Sequence, residues 1–224
     1  MTVRVAVLMD GGFVHKRLYK VCPKLRKFDG NAAADQIYTL ALSHLNQSNK
    51  KHKVETSLYR LFYYDCPPYQ KKHHFPVTNR AIDFSKTDEA KFRYQLHKQL
   101  IAKRKVALRL GHLGDHEGWK LKPGRLKSLQ RGDLKWENLK DEDYQIAIRQ
   151  KGVDMRIAVD VASLAFKKQV DQIVLFSGDA DFVPAAKLAR REGIDFILDP
   201  MWQHAHPELM EHIDGLRSTT KRPT

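Results

Sequence analysis

Short apolar runs that stop at aspartate set the rhythm of the chain. Val3 to Met9 is broken only by Arg4 and stops at Asp10-Gly11-Gly12, and Leu58 to Tyr64 stops at Asp65 before Cys66-Pro67-Pro68. Gln172 to Phe176 stops at Ser177-Gly178-Asp179-Ala180-Asp181-Phe182. Apolar runs of this length, closed by turn residues, predict strands buried on both faces. Proline ends the second run, since it cannot donate to a sheet ladder and disfavours helix in the residue before it.

A second spacing lies between these runs. Ala33, Ile37, Leu40, Ala41 and Leu45 fall on one face of a helix over 32–45, and Ala158, Val161, Ala162 and Ala165 do so over 155–166. Residues 89–103 and 183–191 also read as helices, 106–110 and 194–198 as strands. Residues 111–132 are punctuated by glycine and read as an irregular arm or loop. Alternation of this kind predicts an α/β fold, a mainly parallel sheet with helices on both faces. Ligands of such sheets gather outside the carboxyl ends of the strands. Asp10, Asp65, Asp179, Asp181 and Asp199 all fall at those ends.

Charge says what such a site meets. The 224 residues suit one domain with an insertion, and 40 Lys and Arg against 26 Asp and Glu give a net charge of +14. That surplus favours a polyanion, because each neutralised phosphate releases counterions. Residues 86–135 hold 14 Lys or Arg against 5 Asp or Glu, so this basic stretch is where nucleic acid is expected to touch. Lys120, Lys122, Arg125, Lys127 and Arg131 are the phosphate-contact candidates. Of the aromatic residues there, Phe92, Tyr94, Trp119 and Trp136, Trp119 is the stacking candidate and Phe92 is first a packing residue.

Other classes recede. Cys22 and Cys66 lie far apart with no CxxC spacing, which suggests neither a disulfide framework nor a thiolate zinc site. The histidine pairs, His73 with His74 and His204 with His206, lack a second group at zinc spacing. His112 and His116 sit in the basic arm and are read as phosphate or solvent contacts, and Glu117 is too isolated to assign. With no signal-peptide pattern and no long apolar run, a cytoplasmic protein with no membrane partner is expected. A homodimer is left open.

Aspartates gathered at one cleft repel one another unless a cation is present. Mg2+ takes one or two carboxylates and keeps positions for water and phosphate oxygens, which suits phosphodiester chemistry. Asp154, in Lys151-Gly152-Val153-Asp154, joins the set, although the first turn of a helix favours a carboxylate by its dipole alone. Asp160, six residues on, lies about 120° around that helix from Asp154 and ranks below it. Ser177 serves as a turn cap or a contact to water, and Gly178 permits a sharp turn or close approach of a phosphate.

Asp10-Gly11-Gly12-Phe13, Lys151-Gly152-Val153-Asp154 with Asp160, and Ser177 to Phe182 together resemble the NYN domain family of PIN-like ribonucleases. Tyr63-Tyr64-Asp65 before Pro67-Pro68 is similar to the end of that family's second strand. The resemblance implies a Rossmann-like (PIN-like) sheet and a metal-dependent nuclease with RNA as substrate. It places Asp10, Asp154, Asp179 and Asp181 as catalytic and metal-binding residues for Mg2+ or Mn2+, with Asp160, Ser177 and Asp65 as lesser candidates. With the charge count it gives one domain over 1–200, a basic insertion at about 71–140 and a C-terminal extension over 201–224; by composition residues 218–224 lack apolar content and read as mobile. Many members carry asparagine three positions after the first aspartate, where this chain has Phe13. That departure keeps a second function in view, a nucleic-acid-binding module with a degenerate site. A haloacid-dehalogenase-like phosphatase, the third, needs Asp-x-Asp and meets Gly12 instead.

Overall fold

The computed structural model describes residues 2–45, 48–49, 52–53, 55–114 and 118–223. The main body runs β1 (Val3–Asp10), α1 (Gly11–Val21), α2 (Gly30–Ser43), β2 (Thr56–Asp65), α3 (Asp88–Ala102) and β3 (Val106–Leu110). After α4 (Pro123–Arg131) come α5 (Val153–Phe166), β4 (Gln172–Phe176), α6 (Val183–Arg191), β5 (Asp195–Asp199), α7 (Pro207–Met210) and β6 (Gly215–Leu216). The six strands form one sheet in the order β6-β5-β4-β1-β2-β3, every pair parallel. From β1 the chain builds outward to β3, then crosses back and builds outward again from β4. The order therefore reverses between β1 and β4, which opens a crevice at their carboxyl ends.

The uninterrupted apolar run of residues 5–9 in β1 follows from the strand's central place. Val5, Val7 and Met9 bury into the face covered by α1, α2 and α3, while Ala6 and Leu8 bury into the face covered by α5 and α6. Residues 5–9 have no exposed surface at all, so none of these five positions tolerates a polar side chain. In α3, Phe92, Leu96 and Leu100 take the buried side; in α5, Val153, Ile157, Val161 and Leu164 do.

Two boundaries differ from the sequence expectation. The stretch 71–140 is not one insertion, because α3 and β3 lie inside it and belong to the main body through their buried apolar faces. The added parts are two. One spans 66–87 and holds a ribbon of Lys72–His74 with Ala81–Asp83. The other spans 111–152 and holds α4, a ribbon of Trp119–Leu121 with Tyr144–Ile146, and a shorter one of His112–Leu113 with Gln150–Lys151. They join into one lobe: Trp119 Nε1 donates to the His74 carbonyl over 2.9 Å, and Asp141 Oδ1 accepts from the amides of Val77 and Thr78. The arm read as irregular contains α4, which starts at Pro123 and stops at Gly132 in the left-handed conformation (φ 79°).

The segment after residue 200 is likewise built into the fold. β6 adds a strand to the sheet, Arg217 donates to His44, and Ser43 Oγ donates to Thr219 Oγ1 over 2.7 Å. The tail read as mobile thus lies against α2. No helix among the described residues is long and apolar enough to cross a membrane.

Candidate functional site

A cleft of about 460 Å3 opens at the reversal point between β1 and β4. Asp10, Asp154 and Asp179 line it from three separate segments, and the added lobe and the final segment complete it. Local structure fixes each carboxylate. Asp10 caps α1, its Oδ1 accepting from the amides of Gly12 at 2.9 Å and Phe13 at 3.2 Å. Gly11 follows because a Cβ there would stand 2.5 Å from the Tyr64 carbonyl oxygen. Asp154 sits in the first turn of α5, which starts where Gly152 turns left-handed at φ 77°. Asp179 begins the turn after β4 and accepts the Asp181 amide at 3.2 Å; Ser177, buried beside it, accepts the Asp179 amide at 3.4 Å.

The carboxylates act on one another. Burial pushes the Asp10 carboxyl up to about 6, against the pull of the Phe13 amide, and the negative charges of Asp154 and Asp65 add to the rise. The Asp154 carboxyl is also raised, by its own burial and then by Asp181 and Asp179. Asp10 thus feels Asp154, and Asp154 feels Asp181 and Asp179, although Asp181 is exposed and does not line the cleft. Among the described residues no three His, Cys, Asp or Glu side chains stand together in a chelating group. The donor set is hard carboxylate oxygen in an open cleft, which fits a cation held by one or two carboxylates and completed by water and phosphate.

Asp65 and Asp199, at the ends of β2 and β5, are of another kind. Asp65 is buried, but Arg93 Nη1 at 2.6 Å, His97 Nε2 at 2.9 Å and the Cys66 amide at 2.8 Å overcome the cost of burial and lower its carboxyl. Asp199 accepts from Ser218 at 2.7 Å and from the Met201 amide at 2.8 Å, with His44 Nε2 at 2.9 Å. Since Arg217 donates to His44 Nδ1, the imidazole proton sits on Nε2 and points at Asp199. Asp160 also does not line the cleft; it accepts from the Tyr64 hydroxyl at 2.9 Å and pairs with Arg109 at 3.1 Å.

The basic candidates divide in the same way. Lys127 and Arg131 stand exposed on α4, and Lys120 is exposed on the ribbon opposite Gln145. Arg125 pairs with buried Asp143 at 2.6 Å, and Lys122 donates to the Glu142 carbonyl at 2.6 Å. Trp119 packs among Phe75, Phe84 and His73, so its ring is spent inside the lobe. Phe92 is core, Tyr94 is exposed, and Trp136 is 69% exposed. His116 and Glu117 lie outside the described residues.

Four cleft residues carry no local sequence signal: Lys16, Gln150, Gln203 and His206. Lys16 comes from the second turn of α1, and the amide of His206 is held by the Gly178 carbonyl at 3.0 Å. Phe13, where the resemblance leads one to look for asparagine, lines the same cleft.

A search of solved structures finds a protein of unknown function from Vibrio parahaemolyticus, 14% identical, with a TM-score of 0.43, over 96% of this chain and 91% of that one. No curated protein matches. The family model of the NYN domain matches residues 4–214, nearly the whole chain. With that match, a six-stranded parallel sheet and aspartates gathered at its reversal point, the chain belongs to the NYN domain family, a PIN-like nuclease family.

Proposed function

We propose that this protein is a divalent-metal-dependent endoribonuclease that hydrolyses RNA phosphodiester bonds at Asp10, Asp154, Asp179 and Asp181. The observation that carries the proposal is the convergence of Asp10, Asp154 and Asp179 on one cleft edged by Lys16, where burial first and then carboxylate repulsion raise the Asp10 and Asp154 carboxyls. Such repulsion is retained where a cation and a phosphate relieve it.

Mg2+ or Mn2+, when bound, supplies positive charge for the attacked phosphate and the leaving oxygen. Asp10, Asp154 and Asp179 would hold it, and Asp181, exposed and outside the lining of the cleft, would join them from its edge. With Oδ1 of Asp10 engaged by two backbone amides, Oδ2 is left to orient the attacking water. Water adds at phosphorus, the bridging oxygen departs and takes up a proton, and no covalent enzyme intermediate forms. Lys16 offers its ammonium group to the phosphate. Lys127 and Arg131, with the rest of the basic lobe, hold the flanking strand.

The test is incubation of internally and end-labelled RNA, beside DNA of the same sequence, with Mn2+, Mg2+ or EDTA. Metal-dependent internal cuts in RNA support the proposal; release of mononucleotides from an end, or preference for DNA, contradicts its endonucleolytic or RNA part. A second reading, a binding module with a degenerate site, draws on Phe13 at the cleft and on the lack of a three-residue chelate among the described residues. It predicts binding that survives EDTA and no cleavage with any metal.

A further inference from the structure

Beside the carboxylate cleft lies a second cavity, of about 380 Å3, and Gln150 lines both. Tyr69 and Phe84 wall it from one part of the added lobe, Ile146 and Ile148 from the other. From the main body, α3 contributes Glu89 and Arg93. Its size falls within the roughly 300–1,000 Å3 usual for small-molecule sites, and its make-up, apolar walls with a few polar groups, is theirs too.

Those polar groups are held in place. Arg93 Nε lies 2.6 Å from Glu89 Oε1, and Arg93 Nη1 lies 2.6 Å from Asp65, which is itself buried. The Tyr69 ring meets Phe84 edge to face, with centroids 5.3 Å apart. One side of the cavity thus carries a carboxylate and a guanidinium that are paired with each other through Oε1 and Nε, and another carries Phe84 and the ring of Tyr69, which is itself stacked on His73. Single-stranded RNA is read in this manner, by stacking of an unpaired base and hydrogen bonds to its edge.

We propose that this cavity is a guanine pocket, which takes the base of a nucleotide next to the phosphate in the carboxylate cleft. Guanine places two neighbouring N–H donors, N1 and N2, beside the O6 acceptor. A carboxylate accepts from the two donors, and a guanidinium or amide donates to O6. Adenine, cytosine and uracil each interrupt that order with an acceptor where Glu89 needs a donor. Gln150, which lines both, makes the pocket a neighbour of the cleft. The identity of the strand rests on the RNA reading above, while the selection of the base does not.

The test has two arms on the full chain. Binding of the monophosphates of guanosine, adenosine, cytidine and uridine is measured by calorimetry without divalent metal, and cleavage is mapped on RNAs that differ at single positions. Guanosine monophosphate is expected to bind at least about tenfold tighter than the others, and cuts to fall next to G. Glu89→Gln should cut the preference about tenfold, and Ile148→Trp, which fills the cavity, should remove guanosine monophosphate binding while the far-UV circular dichroism stays native.

Equal binding of all four, no binding, or an equal loss for all four in Glu89→Gln would overturn the pocket. If guanosine monophosphate is selected but no RNA is cut with any metal, the nuclease reading falls and the pocket stands. If RNA is cut without regard to the neighbouring base and guanosine monophosphate is ignored, the pocket falls and the nuclease stands.

Discussion

Arg93 Nη1 donates to Asp65 Oδ1 over 2.6 Å, with the carboxylate 2% exposed and the guanidinium side chain 16% exposed. The pair turns a strand-end aspartate into a support under the site, since α3 is thereby tied to the mouth of β2. Removing one member of a buried pair costs about 3–5 kcal/mol when the other is left uncompensated, and because His97 and the Cys66 amide still hold Asp65 the lower end of that range applies. Arg93→Met should therefore lower the unfolding free energy by that amount in urea titration. The Asp65 carboxyl is lower in the folded state than the ordinary 3.8, so its contribution is present above that value and lost as pH falls through the folded one. In Arg93→Met, stability should depend less on pH below 4.

Asp10 has the opposite sign. Its folded value of about 6 lies above the unfolded 3.8, so its stabilising share is complete below 3.8 and lost as pH rises through 6. That loss amounts to about 3 kcal/mol at neutral pH. Asp10→Asn keeps an oxygen for the two amides and has no charge to bury, so in EDTA at pH 8 it should unfold at higher temperature than the wild type. Added Mn2+ should raise the wild-type melting temperature and leave that of Asp10→Asn nearly unmoved. A wild type more stable than the variant in EDTA would contradict this account of the cleft.

Asp154 and Asp160 share one helix and separate cleanly. Asp160→Ala orphans the Tyr64 hydroxyl and frees Arg109, which should cost about 1–3 kcal/mol of stability while RNA cleavage persists. Asp154→Asn should do the reverse, abolishing cleavage with stability unchanged or raised. Thermal melts and cleavage rates on the two proteins decide it.

Lys127 and Arg131 lie exposed on α4, none of whose residues is buried. Replacing both by Ala should change stability by less than about 0.5 kcal/mol. RNA binding should weaken uniformly across sequences, and the slope of log affinity against log salt should fall by about 1 per lost phosphate contact. An unchanged slope would place the strand elsewhere on the surface.

The sheet was legible because its strands are buried on both faces and so read as apolar runs, and Val106–Leu110 and Val183–Arg191 have the bounds their spacing implies. Asp10, Asp154 and Asp179 were legible from the turns that present them. Asp65 and Asp199 gave the same strand-end signal as Asp10, and only partners 28 to 155 residues away, Arg93 and His44 among them, show that the first is paired with a cation and the second hydrogen-bonded into the fold. The helix α4 was missed because none of its residues is buried, so no apolar stripe marked its period, although Pro123 and Gly132 marked its ends. Gln150, Gln203 and His206 reach the cleft through tertiary packing alone, which no local pattern encodes.

The most direct measurement is turnover of a labelled single-stranded RNA by wild type, Asp10→Asn and Asp179→Asn, with Mn2+ and with EDTA, while binding is recorded on the same samples. The account predicts cleavage by the wild type in Mn2+ alone, a loss of at least about a hundredfold in each variant, on the scale of several kcal/mol for a metal-held transition state, and retained binding in all three. Cleavage that survives both substitutions, or that proceeds equally in EDTA, would contradict it.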